Sequence, residues 1–334
     1  MGDVAEAAGC SQATVSFVLN DAPGIRVAAE TRARVLDAAR RLGYAAGPVT
    51  ATAKPPETCR RIGILVDQMA TSPDAQRIVA ALGQAARAAG ALVLTVETGG
   101  DAALEAEAAR VLADGRVTAL AYVTGLTRVV ALPPAVAALG LPLYLLNGTT
   151  ADQVVPAVVP SEVAGAQRAT RHLIEHGHAR IAAITGEMWT ETAQDRLKGY
   201  RRALATADIP FAADRVVEGD GSAAAGYDAT HRLLAVARPP TAILCLAEQG
   251  AAGCVAALRE AGKTIPGDIS VIGYDDDEPS RRLGPRLTAV VPPFRAMGQW
   301  LLTQLDAPAA PPRPPVTKLE CPLVEGETVA APRG

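Results

Sequence analysis

Several stretches of the chain carry side chains whose type and spacing could do chemistry. His172-Leu173-Ile174-Glu175-His176 has the H-x-x-E-H spacing that sets two imidazoles one helical turn apart, as in an inverted zincin. The sequence offers no further acidic ligand to complete a zinc site, so no metal is expected there. Gly219-Asp220-Gly221-Ser222 holds two glycines of a phosphate loop, but neither the third glycine of G-x-G-x-x-G nor a G-K-[ST] ending. A strand-to-helix loop capped by Ser222 is the expected use. No G-x-S-x-G nucleophile elbow occurs, and Asp275-Asp276-Asp277-Glu278 reads as an acidic loop after a strand rather than a divalent-cation site. No catalytic residue, metal or cofactor is expected.

The stretch Ala8 to Asn20 is a different case. Gly9 suits a tight turn, and the Ser11 hydroxyl can accept a hydrogen bond from the free N–H groups that open a helix, so a helix is expected to begin at Gln12. Val15, Val18 and Leu19 then fall on one apolar face, leaving Gln12, Ala13, Ser16, Phe17 and Asn20 for a partner. A short helix over Asp3 to Ala8, with Val4, Ala7 and Ala8 inward, completes a helix-turn-helix, the unit that lays its second helix in the DNA major groove. Residues 28–42 give a third helix, with Val35, Leu36, Ala39 and Leu42 packing on the first two and Gly43 ending it.

Asp3-Val4-Ala5, Ala8-Gly9, Ser11, Thr14-Val15-Ser16, Val18-Leu19-Asn20, Glu30-Thr31-Arg32 and Leu42-Gly43-Tyr44, taken in order, closely resemble the headpiece of the lactose-repressor (LacI/GalR) family of bacterial transcription regulators. The resemblance implies a double-stranded DNA operator as partner, with Ser11, Gln12, Ala13, Thr14, Ser16, Phe17 and Asn20 as the DNA-binding residues. Gln12, Ala13 and Phe17 fall at the family's base-reading positions. Gln can pair bidentately with adenine, whereas Ala and Phe can only touch a thymine methyl. Phe17 is equally able to fold back on the headpiece.

Charge does not reinforce that picture. The whole chain carries −3, and residues 1–46 set Arg26, Arg32, Arg34, Arg40 and Arg41 against Asp3, Glu6, Asp21, Glu30 and Asp37. Phosphate contacts normally rest on Lys and Arg, so weak non-specific DNA affinity is expected. Helix N-termini and the polar side chains of the second helix remain available as phosphate donors.

Composition bounds the rest. With 334 residues, 49% hydrophobic and only 3% aromatic, the chain can build two or three domains with sizeable cores. No basic-then-apolar leader and no uninterrupted apolar run near membrane length are found, so a cytoplasmic protein without a membrane partner is expected. Cys10, Cys59, Cys245, Cys254 and Cys321 are scattered without a C-x-x-C pair and read as reduced packing thiols.

Residues 47–60, rich in Pro, Thr and Ala, form a linker. In the family this stretch resembles a hinge helix whose Leu wedges into the minor groove and bends DNA. Here no Leu is present, and Pro55-Pro56 stops a helix, which puts that bend in doubt. From Arg61 onward short apolar strands alternate with amphipathic helices, the pattern of parallel sheets covered on both faces. The expected fold is α/β: an all-α headpiece over 1–46, the linker, then a two-lobed effector-binding and dimerisation domain over 61–330. That domain is similar to type I periplasmic binding proteins. Lobe 1 is expected at about 61–160 and 292–315, and lobe 2 at about 161–291 and 316–330.

Ligand sites in such sheets lie at the carboxyl ends of strands, which here face a cleft. On the resemblance, Arg196 of Arg196-Leu197-Lys198-Gly199-Tyr200 and Asp275, which follows Ser270–Tyr274, would hold an effector from the second lobe. A surface Arg and a helix-capping Asp are the plainer alternatives. Other positions depart from the family: Ser72-Pro73-Asp74-Ala75 replaces Asn-Pro-Phe-Phe, Ala247-Glu248 replaces Asn-Asp, and Ser161-Glu162 replaces Asp-Asn. Asp74, Ser161, Trp189, Arg196, Glu248 and Asp275 are therefore the candidate effector residues, with Trp189 a substitute stacking face. The function implied is a homodimeric repressor whose operator affinity responds to a carbohydrate or related polar metabolite. The alternative is a cytoplasmic small-solute sensor whose headpiece binds DNA weakly or not at all.

Overall fold

A computed structural model describes residues 2–19, 27–42, 59–247, 249–274, 284–307 and 316–333. The chain divides into two compact units, Met1–Cys59 and Arg60–Gly334.

The first unit packs three helices: α1 (Gly2–Ala8), α2 (Gln12–Leu19) and α3 (Ala29–Arg41). Val4, Ala5, Ala8, Val15, Val18, Leu19, Val35, Ala38 and Ala39 form its core. Two inward faces differ from expectation. Ala5 is buried where Ala7 was expected, because positions 4, 5 and 8 share one helical face and position 7 is rotated off it. In α3 Ala38 takes the place expected for Leu42, which lies half exposed at the helix end.

The second unit holds two six-stranded sheets of the same strand order. The first contains β1 (Arg61–Val66), β2 (Leu92–Glu97), β3 (Ala119–Val130), β4 (Leu143–Thr150), β5 (Ala157–Pro160) and β11 (Val316–Leu319), arranged β11-β5-β4-β3-β1-β2. The second contains β6 (Ile181–Thr185), β7 (Val216–Glu218), β8 (Ala242–Cys245), β9 (Ser270–Tyr274), β10 (Thr288–Val290) and β12 (Leu323–Val324), arranged β12-β10-β9-β8-β6-β7. All pairings are parallel except β10 with β12. Helices α4 (Pro73–Ala88), α5 (Ala102–Asp114), α6 (Pro134–Ala137) and α11 (Phe294–Asp306) cover the first sheet. Helices α7 (Glu162–Glu175), α8 (Glu191–Thr206), α9 (Ala223–Leu234) and α10 (Gly250–Glu260) cover the second.

The last strand corrects the expected lobe boundary. Val316–Leu319 does not join the second lobe. It pairs in parallel with β5 in the first sheet, and only Leu323–Val324 crosses over. The chain passes between lobes after Pro160, after β10 and between β11 and β12. These crossings are tied side by side: Ser161 N–H donates to Leu319 O at 2.7 Å, Val291 N–H to Pro322 O at 2.8 Å, and Arg168 donates to Cys321 O. Cys245, Cys254 and Cys321 are buried as expected of packing thiols, but Cys59 is exposed. No helix among the described residues is long and apolar enough to cross a membrane.

Candidate functional site

The headpiece presents the face that its sequence periodicity predicts. Gly9 adopts φ 61°, the left-handed turn that a side chain would resist. Ser11 Oγ then accepts from Thr14 N at 3.2 Å and sits 2.9 Å from Thr14 Oγ1, capping α2. With Val15, Val18 and Leu19 inward, Gln12 and Ala13 are exposed and Ser16 is partly so. Phe17 is 38% exposed and stands with them rather than in the headpiece core. Asn20 lies outside the described residues.

In the second unit, the carboxyl ends of both sheets open on a cavity of about 460 Å³. Its rim is built from helix N-termini. Ser72 caps α4 by accepting from Ala75 N, Thr190 caps α8 by accepting from Ala193 N, and Ser222 caps α9 by accepting from Ala225 N. Gln249 stands at the N-cap of α10. All four residues line the cavity, together with Gln68, Asp74, Glu187, Arg196 and Asp220. The two lobes also meet at the side, where Val129 N approaches Glu191 Oε1 at 3.4 Å.

The second lobe's wall rests on a buried ion pair. Arg196 Nε and Nη2 donate to the two oxygens of Glu162 at 2.8 and 2.9 Å, Nη1 donates to Leu246 O at 2.9 Å, and the guanidinium lies 3.8 Å from the centre of the Tyr274 ring. Both charged side chains are nearly sealed from solvent, at 6% and 5% exposure. Burial works against the Arg196 charge, but the Glu162 carboxylate more than offsets it and the pKa rises. The Gly199 that follows allows α7 to approach, since a Cβ there would meet the backbone oxygen of Val163. Tyr200 fills the core beyond and donates to Ile181 O at 2.9 Å. The Arg-x-x-Gly-Tyr spacing thus secures one helix–helix contact and one cavity wall together.

Of the candidate effector residues, the cavity brings together Asp74 and Arg196. Ser161 is not in its lining; it sits at the α7 N-cap, in a lobe crossing. Trp189 is also outside the lining and is 69% exposed, so it supplies no stacking face there. Glu248 and Asp275 lie outside the described residues. Sequence reasoning missed Glu162 as the partner of Arg196, and it missed the lining role of Ser72, Thr190 and Asp220. The helix-start signals S-P-D and T-E-T were legible, and in this architecture a helix start marks the cleft.

His172 and His176 stand side by side on α7. Their rings are 4.4 Å apart, and His176 Nδ1 sits 2.8 Å from His172 O, spending that nitrogen on the helix backbone. Among the described residues no three His, Cys, Asp or Glu side chains gather as a metal site.

Comparison with known proteins reproduces both halves of this geometry. Residues 1–46 match the model for bacterial regulatory proteins of the lacI family, and residues 170–329 match the model for a periplasmic binding protein-like domain. The chain is 31% identical over 299 residues to the HTH-type transcriptional repressor PurR of Aliivibrio fischeri, covering 89% of this chain and 88% of that protein. The chain belongs to the LacI family. It is accordingly a DNA-binding transcriptional regulator with a ligand-binding effector domain. The ribose operon repressor of Haemophilus influenzae is 31% identical over 306 residues, covering 91% of this chain and 90% of its own. A crystal structure of the lac repressor dimer bound to operator and the anti-inducer ONPF superposes with a TM-score of 0.65 at 30% identity, covering 98% of each chain.

Proposed function

We propose that this LacI-family protein is a homodimeric repressor that reads an operator through the face of α2 and releases or grips it according to a small polar effector held between the lobes. The domain plan is a headpiece over 1–46, a linker over 47–60 and an effector domain over 61–330. The observation that carries the reading is the cavity of about 460 Å³ bounded by both lobes, with polar side chains at its helix-start rim, in a chain that also presents an exposed helix-turn-helix face. Two headpieces related by a dimer axis read half-sites about one helical turn, or a multiple, apart. Gln12 and Phe17 would select adenine and a thymine methyl respectively, an A·T-leaning readout with little help from net charge. A ligand that binds one lobe arrangement better than the other shifts the crossings, and a coupling of about 1–3 kcal/mol gives a roughly 5–150-fold change in operator affinity.

The test is titration of the purified dimer against its own upstream region at low salt. A retarded complex that weakens in the Gln12→Ala, Phe17→Ala double variant is expected. No complex for the parent protein, or one indifferent to both substitutions, overturns the DNA-reading half and leaves a solute sensor.

A further inference from the structure

Past the carboxyl end of the first sheet, β3 loses its neighbour on one side. β1 pairs with it only as far as Val123, whereas beyond a register shift Arg128, Val129 and Val130 pair with Gly148, Thr149 and Thr150 of β4. Residues 128–130 therefore form an arm with one free edge, and an unpaired edge N–H needs an acceptor. The root of this arm is fastened within the first lobe. Thr124 Oγ1 donates to Asn147 O at 2.6 Å, Asn147 Nδ2 to Thr124 O at 3.1 Å, and Thr127 Oγ1 to Asn147 Oδ1 at 2.7 Å. Asn147 is buried and holds φ 64°, a conformation that a residue other than glycine keeps only where its surroundings fix it. Asp67 ties Gly125 and Arg128 to the same base.

The tip of the arm reaches the other lobe. Val129 N–H donates to Glu191 Oε1 at 3.4 Å, and Val129 is 48% exposed. Glu191 stands in the first turn of α8, where the helix dipole favours its charge. Further along the same helix, Arg196 bonds Glu162 beside the lobe crossing at Ser161. Leu126 of β3 and Thr190 at the helix start both line the cavity. One helix thus joins a contact at the cavity rim to a crossing between the lobes. The two ends differ in strength: the ion pair at the crossing is sealed, while the bond at the tip is long and open to water. The tip is the link that yields first.

We infer that Glu191 latches the second lobe to the free edge of β3, and that making or breaking this contact selects the lobe arrangement on which operator affinity depends. A ligand that wedges Leu126 and Thr190 apart opens the latch, and one that draws them together tightens it. The inference rests on the proposed repressor function for its effect at the operator; the latch itself belongs to the effector domain.

Full-length Glu191→Ala, Glu191→Gln, Val129→Pro and the Val129→Pro, Glu191→Ala double variant are compared with the parent in two measurements, neither of which needs a ligand. Proline removes the donor N–H at an edge that tolerates it, and Gln keeps an acceptor. Hydrogen exchange of residues 126–130 reads the latch: Glu191→Ala should speed it by about fivefold or more, and Glu191→Gln by less than about twofold. Parent-like exchange in Glu191→Ala, or equal acceleration by Ala and Gln, overturns the inference. Titration against the upstream region reads the consequence: Glu191→Ala and Val129→Pro should shift the dissociation constant about fivefold or more in the same direction, and the double variant no further than the larger single shift. Unchanged affinity, opposite directions or additive shifts overturn it. Should Val129→Pro fail to fold, the contrast between Ala and Gln at 191 decides alone. If the parent itself binds no operator, the repressor reading falls and the exchange rates alone decide the latch.

Discussion

The two lobes share a strand order but secure their sides of the cavity with ion pairs of different kinds. In the second lobe Arg196 and Glu162 are both nearly sealed, and the pair touches β8, β9 and the first lobe crossing. In the first lobe Asp67, directly after β1, is buried, but its partner Arg128 is 43% exposed at 2.8 Å. Asp67 Oδ1 also accepts from the Gly125 N–H at 2.7 Å, where β3 lines the cavity. A sealed pair cannot exchange partners without leaving a charge in a dry environment, whereas a half-open pair can hand its Arg to water. The second lobe therefore holds its side of the cavity with the firmer pair, and the first lobe holds the irregular end of β3, residues 124–130, with the weaker one.

Breaking the sealed pair should have the largest effect. Glu162→Gln leaves Arg196 buried without its counter-charge and should cost about 3–5 kcal/mol of effector-domain stability in denaturant unfolding. A loss below about 1 kcal/mol would show that the second lobe is no firmer than the first. Asp67→Ala should cost less, about 1–3 kcal/mol, because the Gly125 N–H loses a buried acceptor. Ligand affinity should fall with it, since Gly125 lines the cavity.

A third effect sits at the far end of the second lobe. His178 is buried, with Nε2 2.8 Å from Ala330 O and Nδ1 2.9 Å from Thr241 Oγ1. A carbonyl can only accept, so Nε2 carries the proton and Nδ1 accepts from the Thr241 hydroxyl. Burial pulls its pKa below the ordinary 6.5. Burial, and then the neighbouring His176, does the same to His172. Between the ordinary value and the lowered one the unfolded chain binds protons that the folded chain refuses, so stability is full above about pH 6.5 and declines as pH falls through that window. Melting temperatures from pH 7.5 to 5 should show the decline, and His178→Gln should flatten it. A stability that rises on acidification would reverse the assignment. Smallest of all, Arg128→Ala should cost no more than about 1 kcal/mol, and less in high salt, as fits a screened pair.

The fold was legible because its signals are local and repeated. Ser11, Ser72 and Ser222 mark helix starts, and the strands β1, β6 and β9 are short apolar runs between helices. The missed strands are brief: Ala157–Pro160, Val216–Glu218 and Thr288–Val290 are too short for a pattern to register, and the last strand was expected in the second lobe, whereas Val316–Leu319 takes its sheet from pairing with β5, a contact that no local pattern announces. The site was legible only in part. Arg196 could be placed in the cleft from its motif, but its bond to Glu162 spans 34 positions and joins two helices whose closeness depends on Gly199. Trp189 was expected as a stacking face because of its chemistry, while its position in the exposed loop before Thr190 keeps it outside the lining.

The account's central claim is that occupancy of the cavity governs the grip of α2 on DNA. Fluorescence anisotropy of a labelled upstream fragment, titrated with the dimer in the absence of ligand and again with the cavity saturated by a sugar or related polar metabolite that raises the melting temperature of the protein, measures this directly. A change in dissociation constant of roughly 5–150-fold is predicted. Superimposable binding curves with the cavity demonstrably filled would contradict it.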